Sequence, residues 1–168
     1  MHNIFVSVGI VIILCFLVLK YLNYLIMRKR RDVLQVSKEI YMDGPRDLFY
    51  EKLFADIQDE HSLTQTTLLG FIDRNLLNFK ETALKDKGKI IQQFNINKEN
   101  FVDQNFNDEN IQILFIYSYS LGELLYIKNY IKEHNHMVYH KEELEDLKNK
   151  IEAPSISSFY DGKNFLLS

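Results

Sequence analysis

The first 31 residues restrict this chain more than any other part of it: Ile4 to Leu19 is almost wholly apolar, Tyr21 to Met27 extends the run, and Arg28-Lys29-Arg30-Arg31 ends it. Such a run reads as a single membrane-spanning helix, because a helix satisfies its own backbone polar groups in hydrocarbon. Thirteen of the sixteen residues from Ile4 to Leu19 are Ile, Leu, Val or Phe. Each favours insertion by roughly 0.3 to 0.6 kcal/mol at the helix centre, a sum of roughly 4 to 8 kcal/mol. Lys20 opposes this by about 3 kcal/mol at the midplane, but it stands two turns from the basic cluster, within snorkelling reach of the headgroups. Insertion therefore wins. At 1.5 Å per residue, Ile4 to Met27 is about 36 Å long against a hydrocarbon core of about 30 Å.

A cleaved secretory signal needs a basic leader and a small-residue cleavage site. Met1-His2-Asn3 carries no Lys or Arg, and Tyr21, Asn23 and Tyr24 occupy the region where small residues are required. A lipoprotein signal fails as well, since Cys15 follows Leu14 deep in the apolar run. The segment is expected to stay attached as an anchor. Basic residues only on its C-terminal side place the N-terminus outside and the remainder in the cytoplasm. A bacterial plasma membrane is the default location, although an organellar membrane gives the same pattern. Cys15 is the only cysteine, so no disulfide forms within the chain.

The expected organisation is an anchor with its basic stop over 1–31, a cytoplasmic α-helical domain over 32–152 and a C-terminal tail over 153–168. Beyond residue 31 the chain has 15 Lys or Arg against 23 Asp or Glu, a formal charge of −8. This acidity argues against nucleic acid, which demands a basic footprint. The Arg28–Arg31 cluster instead sets topology and meets anionic headgroups, at about 1 kcal/mol per side chain near the surface.

Helical spacing continues past the anchor through Val33, Val36, Ser37, Ile40 and Tyr41, a cytoplasmic stalk that Gly44-Pro45 ends. A second helix follows, with Phe49, Leu53 and Ile57 on one face. Ser62-Leu63-Thr64-Gln65 matches a capping box that opens a third, whose buried stripe is Leu69, Ile72, Leu76, Phe79 and Ala83. Gly88 after Lys85-Asp86-Lys87 is read as its C-cap. Six of the sixteen residues from Asn95 to Asn110 are Asn, which marks a connecting loop with one turn of helix near Phe101-Val102. Asn107 or Asp108 caps the next helix, Ile111 to Glu133, in which Ile111, Leu114, Phe115, Leu121, Leu125 and Tyr126 are joined by apolar residues on nearly every face. Lys141 to Ile151 forms a last, charged helix before Ala153-Pro154. The fold class is all-α: one transmembrane helix, then a small helical bundle.

The central helix also invites reading as a second span, since Ile111 to Ile127 has only Gln112 and Glu123 as strongly polar members. It lies at the short limit for spanning and would carry Lys128 and Lys132 outside, so a buried bundle helix is the better account. Tyr117, Tyr119, Tyr126 and Tyr130 on this helix are read as core residues with their hydroxyls at its boundary rather than as a stacking platform.

One cluster looks chemical. His134, His136 and His140 lie within seven residues, and His136 and His140 share a helical face that, with His134 or Glu143, has the spacing of a Zn²⁺ site. The plainer reading is a polar loop, because no HExxH or CxxC accompanies it. Asp56, Asp59 and Glu60 beside His61, and Glu142, Glu143, Glu145 and Asp146, fit solvated helix faces. The six glycines are scattered singly and no GxSxG elbow occurs. No catalytic, cofactor-binding or metal-ligating residue is assigned. The tail, with Phe159, Tyr160, Phe165, Leu166 and Leu167, is expected to dock on its own domain, or alternatively on a partner.

Two functions of different classes follow. The first is a non-enzymatic adaptor or accessory subunit of a membrane assembly, with the lipid bilayer and a protein as partners. The second is a membrane-tethered metal-dependent enzyme or metal sensor using His134, His136 and His140. Self-association through the stalk is a weaker third.

Overall fold

The computed structural model describes residues 2–55, 57, 62–96, 109–134, 138–150 and 155–168, with side chains in the first helix from Val11 onward. The fold is all-α, with one pair of three-residue strands among the described residues. Its elements are α1 (His2–Met42), α2 (Pro45–Ala55), β1 (Ser62–Thr64), α3 (Gln65–Ile96), α4 (Glu109–Glu133), β2 (Val138–His140), α5 (Lys141–Lys150) and α6 (Ile156–Leu167). The chain divides into two compact units, Met1–Gln35 and Val36–Ser168, and α1 contributes to both.

The first unit is the N-terminal part of α1, and among the described residues α1 is the one helix long and apolar enough to cross a membrane. From Val11 to Met27 its large apolar side chains are exposed, from 39% at Leu25 to 65% at Leu19. Lys20 folds back along the helix rather than toward the basic cluster, its Nζ 4.9 Å from the Phe16 ring centre. That is the direction in which helical Cα–Cβ bonds tilt.

In the second unit, α1 ends where the chain turns through Gly44 at φ 109°, a value L side chains rarely adopt. Pro45 then opens α2 at the position where its missing N–H loses nothing. Phe49, Leu53 and Ile57 are buried, as their spacing implies, with Ile57 just past the helix end. Of the five residues in the stalk's helical pattern Ser37 and Tyr41 are buried, and Val36 is 44% exposed.

Three expectations are corrected. Ser62 does not cap α3: Ser62–Thr64 pairs antiparallel with Val138–His140, Leu63 opposite Tyr139, so the cap moves to Thr64, whose Oγ1 accepts from the Thr67 N–H at 3.3 Å. The helix end expected at Gly88 meets a break one residue earlier: Lys87 leaves helical geometry at φ −131°, ψ 19°, and α3 is two helical stretches joined at this kink, the second running to Ile96. The buried stripe of α3 runs through Leu68, Ile72, Asn75, Leu76 and Ala83, whereas Leu69 and Phe79, expected in it, are only half-buried. Finally, the segment read as a tail contains α6, capped by Ser155, whose Oγ accepts from the Ser158 N–H at 3.0 Å. Residues 97–108, with the expected loop and caps, lie outside the described residues, as do Asp56, Asp59, Glu60 and His61.

Helix α4 is the axis of the unit: Leu114, Tyr119, Leu121, Leu124 and Ile131 are fully buried in protein, as a bundle core helix requires. Tyr119 belongs to this core, whereas Tyr126, also expected there, is 48% exposed. A column of rings crosses three helices. Tyr41 of α1 stacks on Tyr119 at 5.3 Å, and Phe159 of α6 lies 5.1 Å from both Tyr119 and Phe115. Offset and tilted ring pairs of this kind add about 0.5–1.5 kcal/mol each beyond their area burial.

The closest approach in the unit is between α4 and α6, at Ser118 and Gly122 on one and Ser158 and Gly162 on the other. A Cβ on Gly122 would fall inside the Ser158 carbonyl, and one on Gly162 inside the Ser118 carbonyl. Small residues four apart on both helices let the backbones touch, the device that packs helices tightly in membranes. The obstructing atoms are main chain and cannot swing aside. Gly122→Ala should therefore lower stability by about 2 kcal/mol or more, in the upper part of the usual range for overpacking or beyond it. Gly70→Ala on α3, where a Cβ meets nothing within 4 Å, should raise it by up to about 1 kcal/mol. Denaturant unfolding of both variants in micelles checks the pair, and equal effects would contradict the close crossing.

Candidate functional site

Glu123 follows Gly122 on α4 and is 0% exposed. A bare carboxylate there would be prohibitive, so its partners define the site. Arg46 comes one residue after the Pro45 that starts α2 and is 7% exposed; its Nε donates to Glu123 Oε1 at 2.9 Å. Tyr41, in the last turn of α1, donates its hydroxyl to Oε2 at 2.7 Å. Both carboxylate oxygens are thus engaged by charge-assisted or hydroxyl hydrogen bonds.

The network continues outward. Arg46 Nη2 donates to the Lys148 carbonyl of α5 at 3.2 Å, and its guanidinium lies 5.3 Å from the Tyr50 ring centre. Lys148 Nζ bonds Asp47 at 2.8 Å and lies 5.3 Å from the Tyr50 ring on its own account. The Asp47 carboxyl is held below its ordinary range by that hydrogen bond and by the Lys148 charge. Four helices, α1, α2, α4 and α5, converge on one buried ion pair.

Burial pushes the Glu123 carboxyl up, against the lowering effects of the Tyr41 hydrogen bond and the Arg46 charge. Burial likewise raises the Tyr50 phenol, with the Glu123 charge adding to it. Chemically the arrangement holds rather than reacts: Glu123 is enclosed, and both its oxygens already accept hydrogen bonds. Removing one member of such a pair leaves an uncompensated buried charge, at about 3–5 kcal/mol.

The histidine cluster has a different fate. His134 stacks on Tyr130 with ring centres 3.8 Å apart, and its Nδ1 is 3.0 Å from the Tyr130 carbonyl. Glu143, considered as a third ligand, accepts the His140 backbone N–H at 3.0 Å and so caps α5. His136 lies outside the described residues. Among the described residues, no three His, Cys, Asp or Glu side chains are grouped to hold a metal ion. Glu142, Glu143, Glu145 and Asp146 are exposed on α5. Around this region β2 does structural work: the Tyr139 hydroxyl and Gln65 Nε2 both donate to the Ile131 carbonyl, at 3.2 and 2.8 Å, closing the C-terminal end of α4.

In the sequence Glu123 reads only as a polar interruption and Tyr41 only as part of the stalk's helical pattern, and Arg46 carries no assignment. The signal was present: one carboxylate in a run of seventeen otherwise mostly apolar residues has to find a cation, and Arg46 stands at a fixed turn. The chain matches no protein-family model, no curated protein and no solved structure.

Two measurements test the pair. Arg46→Met should cost about 3–5 kcal/mol, whereas Arg46→Met combined with Glu123→Leu should recover at least about 2 kcal/mol of that loss, because no unpaired charge then remains. Strictly additive losses would show that the two do not act together. The second test is pH. The folded Glu123 carboxyl holds its proton to higher pH than the unfolded one, whose value is about 4.3. The native state then binds the extra proton, so this contribution to stability grows as pH falls through the raised value and is complete below the unfolded one. The wild-type chain should gain on Glu123→Gln between pH 7 and pH 5. A wild type that loses ground instead would mean that pairing with Arg46 outweighs burial.

Proposed function

We propose that the chain is a single-pass membrane protein, N-terminus outside, that holds an acidic helical domain at the cytoplasmic face as an adaptor or accessory subunit of a membrane assembly. The observation that carries this reading is the apolar surface of α1 from Val11 to Met27, exposed among the described residues. Lipid is the solvent that suits it. Tyr21 and Tyr24 stand near the end of the apolar run, the depth at which aromatic side chains settle, and Arg28 to Arg31 follow at headgroup level. Positive residues on this side alone support a cytoplasmic second unit, with a bacterial plasma membrane as the host.

The adaptor reading is supported by how the domain uses its polar side chains. Two of the three buried charges among the described residues, Glu123 and Arg46, pair with each other and hold helices together. Leu48 and Leu77 stand 67% and 56% exposed on α2 and α3, apolar side chains available to a partner protein.

Protease added to sealed right-side-out vesicles should leave the second unit intact, and inside-out vesicles should lose it. Replacing Arg28 to Arg31 by Gln while adding two Lys beside Met1 should invert a substantial share of molecules. Digestion in right-side-out vesicles would overturn the topology. Purification in mild detergent should recover a stoichiometric protein partner whose binding weakens with Leu48→Glu or Leu77→Glu; repeated recovery of the chain alone would overturn the adaptor role.

A further inference from the structure

Between Val11 and Met27, Lys20 and Asn23 are the two strongly polar residues of α1, and both are exposed. Lys20 stands eight residues before Arg28. At 1.5 Å per residue that is about 12 Å deeper, in a hydrocarbon core of about 30 Å. Snorkelling to the cytoplasmic headgroups runs against the tilt of helical side chains, which here points into the bilayer. The ammonium follows the tilt and lies 4.9 Å from the Phe16 ring centre, a contact that attracts a cation without neutralising it. Lys20 has no carboxylate partner among the described residues, and the Asn23 amide has no hydrogen-bond partner there. In lipid both conditions are costly, and such residues face another helix where one is at hand.

The two share a face with a pattern of its own. Ile13, Phe16, Lys20, Asn23 and Met27 recur at alternating spacings of three and four, the seam along which helices cross at about +20° in coiled coils and membrane bundles. The opposite face, Val11, Leu14, Val18, Leu22 and Leu25, is Leu and Val throughout and suits lipid. A lone Lys or Asn on such a seam sets register and partner choice at a cost in stability. A second copy of this chain is the wrong partner. Two copies share one topology and would cross in parallel, setting Lys20 against Lys20 where the low dielectric magnifies repulsion.

We propose that this seam docks the transmembrane helix of a different protein, one that carries an Asp or Glu at the depth of Lys20, the carboxylate meeting the ammonium and Asn23 hydrogen-bonding beside it. The pairing rests on the single-pass reading above and gives the other member of the membrane assembly a stated chemistry. A carboxylate one turn higher or lower would leave both charges facing lipid.

The test places the full chain in phosphatidylcholine vesicles with a synthetic helix of about twenty Leu and Ala residues that carries Asp, Asn or Leu at the depth of Lys20. Energy transfer between fluorophores on the two N-termini reads association. The Asp helix should bind about tenfold or more tightly than the Leu helix, with the Asn helix between them. Lys20→Leu should abolish this preference, Lys20→Glu should transfer it to a helix carrying Lys, and Leu22→Ala on the opposite face should leave it unchanged. In the native membrane, a photoreactive side chain replacing Met27 should crosslink to an apolar segment that contains Asp or Glu. Equal affinity for the three helices, pairing of two wild-type chains as tight as with the Asp helix, or no crosslink to a segment with a carboxylate would each overturn the proposal while leaving the span in place. Release of the chain from the vesicles by alkaline carbonate would instead overturn the single-pass reading, and this pairing with it.

Discussion

A helix that is apolar on nearly every face cannot be left at a surface, and this constraint organises the second unit. With its Leu and Tyr side chains distributed all round, α4 has to be enclosed, and α1, α2, α3 and α6 do so from different sides. Each neighbour meets it by different chemistry. α1 brings the stacked Tyr41, α2 brings Arg46, and α6 brings a glycine crossing and Phe159. The strand pair and Gln65 then satisfy the carbonyls at its far end.

Placing an ion pair within that enclosure is not the route to maximum stability, because taking both charges out of water cancels most of their attraction. What a pair does provide is geometry. An apolar helix surface tolerates sliding and rotation, whereas Glu123 accepts Arg46 and Tyr41 in one arrangement only. The neighbouring Lys148–Asp47 contact works differently: it is half in solvent and adds little energy, yet it joins α5 to α2 beside the Arg46 hydrogen bond to the Lys148 carbonyl. Buried and exposed charges thus divide the task of orientation.

The all-α class, the extent of the first helix, the Gly44-Pro45 break and the central position of α4 were legible in the sequence, because each rests on periodicity, apolar length or backbone chemistry local to a few residues. Three features were not. The Ser62 capping box competes with strand pairing to residues almost eighty positions away, and only the tertiary partner decides between them. The residues of α6 look like a tail until Ser158 and Gly162 are set against Ser118 and Gly122, a match that no single segment displays. Asn75 reads as a surface polar residue until its neighbours bury it. In each case the missing information was which distant residue stands opposite, a question that spacing along the chain does not address.

The α4–α6 crossing also has a consequence for biosynthesis. Thirty-four residues separate Glu133 at the end of α4 from Leu167 at the end of α6. At ordinary elongation rates this is an interval of roughly two to seven seconds during which the groove over Gly122 has emerged from the ribosome without its lid. A nascent helix this oily keeps apolar surface open over that interval, the condition under which chains stick to one another. Final closure falls to one of the last pieces of the bundle to be translated.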